Sequence, residues 1–153
     1  MAVRRASRET IVWGFVIALL LVAQWPMIKG RYYQWRGAPA PASAIAWRTD
    51  HAAALAESRR TGKPVLADFA AGWCPPCITM NHEVWPDPEV AALVTRDYVP
   101  LKVDIDRHPD LAERYEVAGI PSVLVLDHDG RVLRTASFLS RGGMQAFLRD
   151  DGP

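Results

Sequence analysis

Two prolines stand side by side between the only two cysteines of this 153-residue chain, in "WCPPC" from Trp73 to Cys77. That leaves the backbone few choices. Proline holds φ near about −65° and has no N–H, so it suits the first turn of a helix. A helix is therefore predicted to start at Pro75. Cysteines at i and i+3 across such a start lie about 5–6 Å apart at Cα, within disulfide range. One turn then holds either the dithiol or the disulfide with little movement, which suits a reversible redox centre. A purely stabilising bond across so small a loop would remove little chain entropy. A zinc site would need two more ligands; there is no second cysteine pair, and His51, His82, His108 and His128 are scattered.

The surroundings suggest roles. Cys74 precedes the helix, where the dipole and free N–H groups favour a thiolate, so it is expected to be an exposed nucleophile. Cys77, one turn inside and more covered, is expected to resolve the mixed disulfide. Trp73 is expected to shield the pair on one side. Pro75 and Pro76 supply no N–H, leaving mainly that of Cys77 for the Cys74 sulfur. A thiolate stabilised only moderately means a less oxidising disulfide, hence a reductant. Asp68 lies in the apolar run "VLADFA", where burying a charge is costly. It is placed to take the proton from Cys77; the plainer alternative is a strand-end aspartate facing water or capping a turn. In "AGIPSV" the Ile120–Pro121 bond is a plausible cis site, with a trans proline opening a strand as the alternative. Met80 reads as a packing residue.

The apolar residues are unevenly spread. Thr10 to Ile28 is 19 residues without a charge. As one helix it would be roughly 28 Å long, close to the thickness of a bilayer core. Trp25, Tyr32, Tyr33 and Trp35 suit the headgroup layer. A cleaved secretory signal is the rival reading, given the basic "VRRASR" start, but the run is long and lacks a small-residue site at its end. The expected organisation is a cytoplasmic tail over 1–9, a transmembrane signal anchor over 10–28, a juxtamembrane linker over 29–46 and a folded domain over 47–150. Arg4, Arg5 and Arg8 before the span nearly balance Lys29, Arg31 and Arg36 after it. The short tail favours an inside N-terminus. A net charge of +1 argues against nucleic acid as a partner.

Within the domain the pattern predicts helix, strand, helix, short helix, strand, helix, strand, strand, helix. Caps are expected at Thr49 or Asp50, at Asp87 and at Ser140, and a turn at Gly130. This implies an α/β sandwich with parallel strands at its centre and an antiparallel pair at its edge.

An aspartate, WCxxC six residues later and "GIPS" beyond it together resemble the thioredoxin superfamily. "GKPVLADFAAGWCPPC" and "WPDPEVAAL" look most like the periplasmic thioredoxin-like domain of DsbD-type reductases. The resemblance covers about 47–150. It implies a three-layer thioredoxin-like sandwich, a central mixed sheet flanked by helices, here preceded by one N-terminal transmembrane helix. It implies that Cys74 and Cys77 are the redox pair, that Pro121 is a cis proline packed on them, and that Asp68 is the buried proton acceptor with Lys102 near it. Ile120 and Trp73 would contact substrate. No cofactor beyond the redox-active disulfide and no metal are expected. The implied protein is a single-pass inner-membrane reductase of disulfide-bearing proteins in the periplasm or cell exterior, supplied by a DsbD-like membrane electron donor. An oxidase or isomerase, or a metal- or haem-delivery module using CPPC as ligands, are the alternatives. Ser122 in place of the family's threonine, and the lack of its helix-kinking proline soon after Cys77, are departures.

Overall fold

The computed structural model describes residues 8–150; Arg4, Arg5 and the rest of 1–7 lie outside them. Its elements are α1 (Arg8–Ala23), α2 (Trp25–Arg36), α3 (His51–Thr61), β1 (Val65–Ala70), α4 (Pro75–Glu83), α5 (Pro88–Asp97), β2 (Val99–Asp104), α6 (Pro109–Arg114), β3 (Ser122–Leu126), β4 (Val132–Ala136) and α7 (Arg141–Arg149).

β1 is buried along its whole length, which requires cover on both faces of the sheet. Side chains alternate across a strand. Val65, Ala67 and Phe69 join Val99, Leu101 and Val103 of β2 and Leu124 and Leu126 of β3 in one layer, with Ala54 and Leu55 of α3 and Tyr115. Leu66, Val123 and Val125 face the other way, against Met80, Val84, Val90, Val94, Met144 and Leu148 from α4, α5 and α7. Asp68 shares the register of Leu66 and so faces the α4 side.

The sheet order is β2-β1-β3-β4. β1 and β2 are parallel, with Asp68 opposite Lys102. β3 runs antiparallel to both β1 and β4. The sheet is thus mixed, but its parallel pair lies at one side rather than at the centre. Helical crossover does make β1 and β2 parallel and the hairpin does make β3–β4 an antiparallel edge, but β3 enters beside β1 in the opposite direction, so the parallel pair is left at the other edge. The segment after residue 46 lies along the outer side of β2: Arg48 N–H donates to Pro100 O, and Lys102 N–H to Arg48 O.

The caps follow from local chemistry. Asp50 and Ser140 each accept from an N–H three residues on, and Asp87 accepts from Glu89 and Val90 N–H. Gly130, at φ 81°, makes the turn before β4.

The N-terminal region departs from expectation. No single helix among the described residues is long and apolar enough to cross a membrane. α1 and α2 pass that test only together, and they meet at a bend of 57°. Pro26 stands in the first turn of α2; it has no N–H to bond Val22 O and its ring crowds that carbonyl, which breaks the run near Gln24. Residues 29–36, read as linker, continue α2. That helix packs on α4: Thr79 Oγ1 donates to Pro26 O at 2.7 Å, and Lys29 Nζ and Tyr33 OH donate to Glu83 at 2.6 and 2.9 Å. The Tyr33 ring stacks on His82 with centroids 4.0 Å apart. A side chain at Gly30 could not fit, because a Cβ there would lie 1.8 Å from Pro75 O.

Candidate active site

Pro75 and Pro76 open α4, and Cys74 is its N-cap in an extended conformation. Cys74 and Cys77 are joined as a disulfide with Cα atoms 5.3 Å apart. With no N–H on either proline, the Cys77 N–H is the backbone donor to Cys74 Sγ, at 3.3 Å. Both cysteines are only 2% exposed. The expectation of an exposed Cys74 is therefore corrected for the oxidised form. Ala70 and Ala71 pack against the pair, with the half-buried Ile105 and Ile120 beside them.

Trp73 stands just before Cys74. Its side chain is 59% exposed, and its Nε1 donates to Asp106 Oδ2 at 2.9 Å. It stands beside the disulfide as an exposed, fixed aromatic surface. On the other side the Ile120–Pro121 peptide bond is cis. Pro121 O accepts from Ser137 Oγ.

Beneath the helix, Asp68 is buried and paired. Lys102 Nζ, delivered by the β1–β2 register, donates to Asp68 Oδ2 at 2.6 Å and to Asn81 Oδ1 at 2.8 Å. The ammonium also lies 5.1 Å from the Trp47 ring centroid and 5.7 Å from that of Trp85, a cation–π setting. A cleft of about 180 Å³ lined by Ala70, Ala71, Gly72, Asn81, Lys102, Val103 and Asp104 opens there to solvent. A proton reaching Asp68 thus has a charged, solvent-connected neighbour. The reading of Asp68 as a water-facing or turn-capping residue does not hold. Among the described residues no cluster of His, Cys, Asp or Glu has the geometry to hold a metal ion.

Asn81, Trp47, Trp85, Asp106 and Ile105 were missed by sequence reasoning. Only Asn81, one helical turn after Cys77, carried a local signal.

A family model described as thioredoxin-like matches residues 46–128, more than half the chain. This chain belongs to the thioredoxin-like family. It is 35% identical to mouse mitochondrial thioredoxin over 89 residues, which are 56% of this chain and 50% of that one. It is 37% identical over 104 residues to the thiol:disulfide interchange protein DsbD 1 of Pseudomonas aeruginosa, covering 63% of this chain and 17% of DsbD 1. The chain thus spans about half the length of the mitochondrial thioredoxins it matches, and a sixth of DsbD 1. The oxidised C-terminal domain of Neisseria meningitidis DsbD superposes with a TM-score of 0.60 at 25% identity, covering 70% of this chain and all of that one. A Thermus thermophilus thioredoxin gives 0.62 at 28%, covering 69% and 85%. The domain that the family model matches carries the Cys74–Cys77 disulfide at the start of α4.

Proposed function

We propose that this protein is a membrane-anchored reductase of disulfides in extracytoplasmic proteins. The observation that carries the reading is the Cys74–Cys77 disulfide in the first turn of α4, where the two prolines leave Cys77 N–H as the backbone donor to Cys74 Sγ. A sulfur with so few donors gains little as a thiolate, and a dithiol of that kind gives its electrons away readily.

In the reduced protein, Cys74 thiolate attacks one sulfur of a substrate disulfide and expels the other as a thiolate. Cys77 then gives its proton to Asp68 and attacks Cys74 Sγ, which closes the disulfide and releases the substrate's second sulfur as a thiolate. Two electrons pass to the substrate; of the two protons its leaving thiolates take up, one comes from Cys77 by way of Asp68 and the other from solvent, where the Cys74 proton had gone. Asp68 returns its proton to solvent by way of the adjacent cleft, and the Lys102 ammonium then stabilises the carboxylate it leaves. Trp73, Ile120 and the cis Pro121 border the sulfur pair and form the surface for the substrate chain.

The anchor reading rests on the uncharged run from Thr10 to Ile28. A domain facing the periplasm or cell exterior, and hence an N-terminus inside, fits where disulfide substrates occur. Electrons would come from a membrane dithiol donor of the DsbD kind. Trapping tests the roles: Cys77→Ser should accumulate mixed disulfides on Cys74, and equal trapping by Cys74→Ser overturns the assignment. The equilibrium potential tests direction. A value near that of thioredoxin, about −270 mV, supports a reductase, and one near about −120 mV makes the protein an oxidase. A metal- or haem-delivery role predicts metal retained in stoichiometric amount after purification.

A further inference from the structure

α2 has two working faces. Pro26, Lys29, Gly30 and Tyr33 bind it to α4 through the contacts described above. The opposite side leaves Ile28, Tyr32 and Trp35 exposed, Trp35 by 84%. These fall at i, i+4 and i+7, one stripe of a helix, and Arg31 and Arg36 accompany them. The stripe follows α1 after a break of one residue, and at 57° to α1 it lies nearer the plane of a membrane that α1 enters than its normal.

We propose that the outer face of α2 rests on a bilayer surface bearing anionic headgroups, and that its inner face thereby fixes the dithiol at membrane level. This rests on the anchor reading above and deepens it by naming the kind of partner: one whose disulfide or dithiol lies at the bilayer surface. The occupant follows from continuity and charge. The uncharged part of α1, Thr10–Ala23, spans about 21 Å of a bilayer core of about 30 Å, so a membrane that α1 enters extends past the bend to the start of α2. Aromatic and arginine side chains are those that headgroup layers accept. A cleft of about 430 Å³ between this elbow and the domain is lined by Val22, Trp25 and Phe138 together with Arg141 and the Lys29–Glu83 pair, an amphipathic lining. Gly30, against Pro75, is only seven residues beyond Ala23. Along the helix that is about 10 Å. The height of the dithiol is therefore set by a docked helix and not by the loose reach of 37–46.

The test uses the full chain in vesicles of phosphatidylcholine and phosphatidylglycerol, pre-reduced with dithiothreitol that is then removed. In a single turnover the Cys74/Cys77 dithiol passes two electrons and two protons to a lipid-anchored peptide disulfide, leaving a protein disulfide and two peptide thiols. One probe holds its disulfide at the surface, and another holds it on a long polyethylene glycol spacer. The wild type is expected to reduce the surface probe about tenfold faster. Lys29→Ala with Tyr33→Ala, or separately Glu83→Gln, should abolish that preference while the rate on a soluble disulfide stays unchanged, which also reports folding. Equal rates on both probes for wild type that floats with the vesicles, or a preference surviving in both variants, overturns the inference alone. Wild type that fails to float overturns the anchor reading as well.

Discussion

At the residue scale the most constrained charge in the domain is Lys102. Its ammonium is held by Asp68 and Asn81 and lies against the faces of Trp47 and Trp85. Its side chain is 27% exposed and that of Asp68 2%, so removing the lysine strands a buried carboxylate. Lys102→Met is expected to destabilise the protein by about 3 kcal/mol, read from denaturant unfolding at neutral pH. Asn81→Leu should cost about 1 kcal/mol and slow closure of the mixed disulfide, read by stopped-flow, because the ammonium loses one of its two acceptors. Cys74, Cys77 and Asp68 were legible as single residues, since a thiol pair at helical spacing and a charge in an apolar strand stand out locally. Lys102 came only through family resemblance: it lies 34 residues beyond Asp68, and only strand register brings them together. The two tryptophans have no sequence signal at all, because their role depends on where α4 and the approach to β2 converge.

At the element scale, the α2–α4 contact carries most of the unexpected structure. Burial lowers the affinity of His82 for a proton, and its ring stacks on Tyr33. Burial alone would raise the Glu83 carboxyl, but the hydrogen bonds from Lys29 and Tyr33 outweigh it and hold the group below its usual range. For both groups the undocked state binds protons more readily than the docked one. Docking is therefore favoured above about pH 6.5 and below the tyrosine range. It weakens as pH falls, first through His82 and then through Glu83, and weakens at high pH because burial beside Glu83 raises the Tyr33 hydroxyl. Amide exchange at Gly30 and Arg31, corrected for intrinsic rates, should quicken between pH 7 and pH 5 relative to the sheet. Gly30→Ala should release α2 at a cost of about 2 kcal/mol, seen in the same exchange experiment, since its Cβ would meet the Pro75 backbone. Caps at Asp50, Asp87 and Ser140 were readable because each acts within one helical turn. The bend was not, because hydropathy reads Thr10–Ile28 as continuous; Pro26 was the one available sign of a break.

At the scale of the whole molecule, the disulfide is covered by residues from distant loops, Ile105 after β2 and Ile120 before β3. Reduction of the resting protein requires that cover to open. Ile105→Ala should therefore speed reduction by a small phosphine about fivefold, equivalent to about 1 kcal/mol of lost packing, as followed by thiol release. The layered α/β plan and the antiparallel β3–β4 pair at one edge were legible from alternation, apolar periodicity and the Gly130 turn, whereas the antiparallel placement of β3 beside β1 and the return of the chain past β2 were not. That route has a mechanical consequence. The chain leaves α1, grips the catalytic helix through Gly30 and Thr79, and only later docks Ser43 on Trp85 O and Ile45 in the core before pairing with β2 at Arg48. Tension applied at the N-terminus is borne first by the helix holding the disulfide, and the sheet takes up load only after α2 has peeled away.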